Sequence, residues 1–277
     1  SKNFIEINDL IDLRDHKIKA SYVNKKLSLE GKGQVKFQNK YEIIEYKLIN
    51  EGSDLDLVSN IELSELDIKN QNLIREYLPK TKDILNLKNH KIKLNYKDNI
   101  LSLKGSGKIK LDKEFSKVGY FFSTKNKRYN FETDLEINDT PFKIDFINYE
   151  KAKNLNSQLN INGNYNKKSG INFKKISLLS KNNNLIVNDL IVDKNNKLMK
   201  VDKIDLDYFD NSNVKNKFVL KRSKNNNYEL KGSTLNADTI ITNLLESKDD
   251  QQLDIFRESI NINLNFSEVY IDNDNIV

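Results

Sequence analysis

The chain contains two histidines, His16 and His90, and imidazole is both a common general base and a frequent metal ligand. Each begins the same four letters, HKIK, and the second copy follows the first by 74 residues. Equivalent copies at the start of two similar strands favour a structural position on a polar strand face over a catalytic or zinc-binding pair. We therefore expect no catalytic residue, no bound metal and no enzymatic activity.

Two Gly-x-Gly pairs, Gly31/Gly33 and Gly105/Gly107, raise the question of a phosphate-binding loop. Such a loop needs a third glycine or a Lys-Ser/Thr pair, and then a helix, and none of these follows here. Glycine inside a strand pattern instead marks a bulge or a bend. The pairs therefore predict the same distortion at the same place in two similar strands, and they predict no nucleotide cofactor.

The charge pattern is that of a solvated surface. The net charge is +6 and the pI is about 9.0, yet lysine and asparagine are frequent together, as codon bias in an AT-rich genome produces. A nucleic-acid binder usually favours arginine for bidentate contacts, so we expect no nucleic-acid partner. A basic module that binds lipopolysaccharide or another polyanion stays open as an alternative. Cysteine is absent, which excludes disulfides and thiolate sites.

Apolar residues alternate with polar ones at period two along most of the chain, which predicts half-buried strands joined by short Asn-, Asp- and Gly-rich turns. Hydrophobic residues make up 37% of the chain, which is low for a compact domain of 277 residues. We expect a mainly β fold: an elongated antiparallel meander of hairpin units, curled into an open apolar groove. Helical spacing of apolar residues predicts short helices near 70–78 and 236–246.

The chain also repeats itself. Residues 16–63 return as 90–137 without a gap, and within 16–37 and 90–111 half of the positions are identical. A repeat of this length is a supersecondary unit, and such units stack mainly on their neighbours. We expect one elongated β-repeat segment over residues 1–277.

The apolar face of these strands is the candidate site. In an open sheet a continuous apolar strip marks a binding surface, and acyl chains are a natural occupant. A closed β-sandwich or barrel, in which a second sheet covers the strip, remains the alternative. The candidate groove-lining residues are Ile18, Leu27, Leu29, Val35, Phe37, Ile92, Leu101, Leu103, Ile109 and Leu111.

The segment from Tyr228 to Val277 resembles the AsmA-like family, the YhdP- and TamB-related bridge-like lipid-transfer proteins. In that family a strand ends in glycine, a short Leu-rich helix follows, and new alternating strands begin after a polar gap. Gly232, Ala237, Leu244 and Leu245 fit those places, whereas Asn236 stands where Asp is common. The REYLP stretch that ends at Pro79 and the repeated LSLxGxG strands are similar to further family segments.

The resemblance implies a long twisted β-sheet with an apolar interior in the periplasm of Gram-negative bacteria. It also implies a role in outer-membrane biogenesis: phospholipid transport between the inner and outer membranes, with the parent protein anchored in the inner membrane. The chain begins with Ser1 and is expected to be a piece of a longer protein. The alternative is a non-catalytic β-repeat scaffold or adhesin with a closed core.

Overall fold

The computed structural model describes residues 12–70, 72–153, 155–195, 197–224, 226–246 and 260–271. Over these residues the fold is mainly β, with two short α-helices that lie within the two predicted stretches. Sixteen strands follow one another in meander order in a mixed sheet that is not closed into a barrel. The predicted fold class is confirmed.

The chain divides into two compact units. The first comprises Ser1–Arg75 and Lys80–Leu135, and the second comprises Glu76–Pro79 and Glu136–Val277. The elements that begin in the first unit are β1 (Leu13–Val23), β2 (Lys26–Phe37), β3 (Lys40–Glu51), β4 (Asp54–Lys69), α1 (Asn72–Tyr77), β5 (Ile84–Lys97), β6 (Ile100–Lys110), β7 (Phe115–Lys125) and β8 (Arg128–Glu136).

Strands β1 to β8 form an antiparallel meander in which every connection is a short turn except the one between β4 and β5, which contains α1. Asn24-Lys25, Asp98-Asn99 and Asn126-Lys127 occupy two-residue turns with positive φ at both positions, from 50° to 64°. This is the geometry of a type I′ turn, whose twist matches that of the flanking strands, and Asn and Asp tolerate it better than most other residues that carry a side chain. The first two of these turns are 74 residues apart, so the two copies of the repeat have the same type of turn at the same position.

The second unit adds a strand pair and a second run of strands. Its elements are β9 (Phe142–Ile144), a 3₁₀ turn (Asp145–Ile147), β10 (Tyr149–Lys151), β11 (Ser157–Asn166), β12 (Gly170–Ser180), β13 (Asn184–Val192), β14 (Leu198–Lys200), β15 (Lys203–Phe209), β16 (Lys215–Arg222), β17 (Asn227–Asn236), α2 (Asp238–Glu246) and β18 (Asn261–Tyr270).

One pairing departs from the expected antiparallel meander: β18 runs parallel to β17. Parallel neighbours require a crossover rather than a hairpin, and α2 lies in that connection. The Asn236 side chain accepts a hydrogen bond from the Asp238 N–H at 3.2 Å, which caps the start of this helix.

Candidate functional site

The apolar face of the first unit is built from rows of residues that lie directly opposite one another on neighbouring strands. Such residues point to the same side of a sheet. One row contains Ile18, Gly31, Tyr46, Ser59, Leu94, Leu103, Phe122 and Phe131. The next contains Ala20, Leu29, Leu48, Leu57, Tyr96, Leu101, Thr124 and Tyr129. We call this surface the apolar face of the first unit.

The structure brings the predicted groove-lining residues together on this face. Residues 27, 29, 35 and 37 of β2 share it, as do 101, 103 and 109 of β6. Ile18 and Ile92 lie opposite Gly31 and Gly105, and Leu111 directly follows β6. Their exposure differs: Ile109 and Leu111 are buried, Leu29 and Leu103 are half-buried, and Ile18 is exposed.

The side chains of this face become less buried along the direction of the strands. At one end Leu63, Leu85 and Ile109 are buried. Towards the other end, Leu94 and Leu103 are only half-buried. At the far end Leu55 is exposed. The face is therefore packed at one end and meets solvent at the other, and the polar residues Ser59 and Asn50 lie among its apolar residues.

The opposite face of the first unit is polar and carries a ladder of cross-strand ion pairs. Its pairs include Lys32–Glu45 at 2.6 Å, Lys47–Glu30 at 2.6 Å, Lys26–Glu51 at 3.1 Å and Lys97–Asp56 at 3.1 Å. The hydrogen bond from Lys47 lowers the pKa of Glu30 below its usual value. Exposed pairs contribute little to stability. The main effect of the ladder is therefore to make this face polar, so that it is solvated.

A shallow depression on the polar face contains charges of both signs. Its lining includes Lys17, Lys19, Glu30, Lys32 and Glu45. Because Lys32 pairs with Glu45 and Glu30 pairs with Lys47, the lining offers no concentrated positive charge to an anion.

The Gly-x-Gly pairs make room for aromatic rings. A Cβ at Gly107 would overlap the imidazole of His90, and one at Gly105 would overlap the ring of Tyr120. The first copy repeats both relationships, with His16 over Gly33 and Tyr46 over Gly31. The glycine strand itself keeps a regular register with its next neighbour. The expected bulge lies instead on the adjacent strand, opposite Gly33 and Gly107.

The bulge brings a residue with positive φ into each copy: Asp15 at 50° and Asn89 at 53°. This is the left-handed position that a G1 bulge usually gives to glycine, and Asp and Asn tolerate it. The two-against-one pairing places the following histidine over the glycine of the neighbouring strand. The repeated bulge therefore creates the repeated ring packing.

The prediction that the histidines lie on a polar face is wrong for His90. Its side chain is 1% exposed and lies opposite Leu63 on the apolar face. Its Nε2 donates to the Lys108 carbonyl at 2.9 Å, so in the neutral ring Nδ1 accepts from the Tyr120 hydroxyl at 3.1 Å. Burial raises the pKa of Tyr120 to about 12, which keeps the hydroxyl protonated as a donor. Both polar atoms of the ring are thus satisfied inside an apolar surface.

The second unit has an apolar face of the same design. One row contains Leu159, Leu178, Leu185, Leu206, Phe218, Gly232 and Phe266. The adjacent row contains Ile161, Ile176, Val187, Ile204, Leu220, Leu230 and Leu264. Two consecutive rows across seven strands are therefore apolar except at Gly232, where a Cβ would overlap Phe218.

One end of this second face is covered. Tyr208 shares the face with Leu206, and Tyr149 of β10 packs edge-on against it at 5.6 Å between ring centroids. The Tyr208 hydroxyl donates to the Ile147 carbonyl at 2.9 Å. The row of Leu178 and Leu185 is buried accordingly, whereas Ile176 and Val187 in the next row are only half-buried.

A buried lysine, Lys151, lies beside this cover and was not predicted from the sequence. Lys151 is 0% exposed, and its ammonium donates to the carbonyls of Asn138 at 2.8 Å and Ala152 at 3.0 Å. Burial lowers its pKa to about 8, although nearby Asp139 acts in the opposite direction. Nothing in the local pattern YEKAK distinguishes this lysine from its exposed neighbour Lys153.

Comparison with known proteins returns no match: no family model, no curated protein and no solved structure resembles the chain significantly. Of the residues that carry the sequence resemblance, Gly232 lies within β17, so the strand does not end at this glycine but continues to Asn236. Ala237 directly precedes α2, and the side chains of Leu244 and Leu245 lie outside the described part of the chain. Among the described residues no helix is both long and apolar enough to span a membrane.

Proposed function

We propose that the chain is a segment of a periplasmic AsmA-like protein that carries phospholipid along an apolar β-groove between the inner and outer membranes. The observation that carries this proposal is the set of mainly apolar rows on each unit, in which Leu29, Leu103 and Ile176 are half-buried rather than sealed. Each square ångström of such surface that an acyl chain covers is worth about 25 cal/mol. Lipid would therefore bind by burial of hydrocarbon and would not need a specific polar site.

In this proposal the acyl chains lie against the apolar faces and the head groups remain in solvent. Leu29 and Leu103 are the central contacts of the first unit, because they lie in adjacent half-buried rows and come from the two copies of the repeat. The proposed setting is the periplasm, with the inner and outer membranes as partners through the rest of the parent protein.

Native mass spectrometry of the purified chain, with lipid analysis of the same sample, tests the proposal. We expect co-purified phospholipid that is lost when Leu29 and Leu103 are both replaced by Asp. The matched control replaces Ser28 and Ser102 by Asp, which adds the same charges one residue away on the polar face. Lipid retained by the leucine variant, or lost equally from both variants, would contradict the proposal.

The second candidate is a β-repeat scaffold or adhesin with a filled core. It is favoured by the closed end of the first unit and by the buried row of Leu178 and Leu185 in the second. A lipid-free, monodisperse wild-type chain would support this function instead, and the leucine variant would then lose much of its stability, because a carboxylate in a filled core has no partner.

A further inference from the structure

In the part of the chain that the structure describes, strand β1 pairs only with β2, whereas β5, its repeat counterpart 74 residues later, lies between β4 and β6. An unpaired edge presents a row of backbone donors and acceptors that can template another strand. The pairing of β5 therefore indicates what the free edge of β1 can accept.

The two strands are equivalent in backbone and in side chains. Ile18 lies opposite Gly31 just as Ile92 lies opposite Gly105, and each strand has the same bulge before its histidine. Lys17, Ile18, Lys19 and Tyr22 are identical to their counterparts in β5. Because β5 pairs with β4 on both sides of its bulge, the bulge in β1 does not block pairing.

The exposed side chains of β1 show what a second partner strand would cover. Ile18 is 58% exposed and Tyr22 is 70% exposed, whereas their counterparts Ile92 and Tyr96 are half-buried. In β5 the latter two lie directly opposite Ile61 and Leu57 of β4. A strand with the β4 pattern would therefore bury apolar surface on β1 as well as pair its backbone.

We propose that the free edge of β1 binds, in antiparallel orientation, a strand with the pattern of β4 from another unit of this repeat. Transferring the β4–β5 register to β1 sets Leu57 opposite Tyr22, Ser59 opposite Ala20, Ile61 opposite Ile18 and Glu62 opposite Lys17. The pairing of Glu62 with Lys17 would repeat the existing pairing of Glu62 with Lys91. The edge is thus a docking site for a repeat strand and is independent of lipid binding.

A labelled peptide of residues 54–69, the sequence of β4, tests the site by fluorescence anisotropy with the 277-residue chain. We expect saturable binding that a peptide of the same composition without the alternation does not show. Lys17→Glu should weaken binding about fivefold, because it places like charges opposite each other. Lys19→Glu, the matched control, faces Asn60 and should change binding much less. A peptide with Glu62→Lys should restore binding to the Lys17→Glu chain.

Disulfide formation tests the register, and the chain contains no cysteine of its own to interfere. Ala20→Cys in the chain should cross-link with a peptide carrying Ser59→Cys, since directly opposite Cβ atoms are about 5 Å apart. It should not cross-link with a peptide carrying Asn60→Cys, which points to the other face. No binding, equal cross-linking of both peptides, or pairing of two β1 edges that excludes the peptide would overturn the proposal.

Discussion

The imidazole of His90 lies over the backbone of Gly107, in the space that a Cβ would occupy, and His16 lies over Gly33 in the same way. The ring of His90 also stacks on Tyr120, with 5.7 Å between the ring centroids and 27° between the planes. Glycine in a strand normally weakens it, but here it allows an aromatic ring to shield the exposed backbone. The Gly-x-Gly pairs are therefore packing features of the sheet.

Gly107→Ala should destabilise the first unit by about 1–3 kcal/mol, the usual cost of forcing extra volume into a packed site. The added methyl overlaps the His90 ring, whose Nε2 and Nδ1 are both held by hydrogen bonds. Urea unfolding measures the change. Gly119→Ala is the control, because a Cβ there meets only the Asp134 Cβ, at 4.0 Å. Equal stability of the two variants would show that the ring does not occupy this space.

Tyr120→Phe should cost about 1 kcal/mol, because it leaves the buried Nδ1 of His90 without its donor. Tyr46→Phe should cost less, since the corresponding contact with His16 is longer at 3.4 Å and that histidine is less buried. Urea unfolding of both variants measures the difference. A larger loss for Tyr46→Phe would contradict the assigned hydrogen-bond pattern.

Lys151 should make the stability of the second unit depend on alkaline pH. Its folded-state pKa of about 8 lies below the usual value of 10.5, so the unfolded chain binds more protons between these two pH values. The free energy of unfolding should therefore rise from pH 8 towards pH 10.5, by up to about 3 kcal/mol from this group. The cost of burying the charge is fully present below pH 8.

Comparison of wild type with Lys151→Met at pH 7 and pH 10 isolates that effect. The wild type should gain stability relative to the variant as the pH rises, whereas Lys153→Met, at an exposed neighbour, should follow the wild type. A wild-type chain that loses stability relative to Lys151→Met over this range would contradict the lowered pKa.

Much of the fold follows from alternation, because a residue's position in an antiparallel strand fixes the face on which it lies. Leu103 and Ser102 lie on opposite faces as the pattern predicts, and Asn24 and Asp98 form the expected turns. Alternation alone places His90 on the same face as Ile92, which is the apolar face. We predicted a polar face instead, because imidazole is a polar group. The Tyr120 hydroxyl and the Lys108 carbonyl, which satisfy that ring, come from other strands and leave no local signal.

Other features could not be derived from local pattern. The bulge at Asn89 changes which residues face the apolar side, so Leu87 and Ile92 share a face although their numbers differ in parity. The burial of Lys151 depends on carbonyls that the fold places around it. The parallel pairing of β18 likewise depends on a crossover and not on the strand's own sequence.

The most direct test of the central claim is a photo-cross-linking amino acid placed at position 103 and, separately, at position 102. The two side chains belong to the same strand but point to the apolar and the polar face. We expect a cross-link to phospholipid from position 103 and none above background from position 102 when each chain is mixed with phospholipid vesicles. Equal cross-linking from both positions, or none from position 103, would contradict a lipid-carrying apolar face.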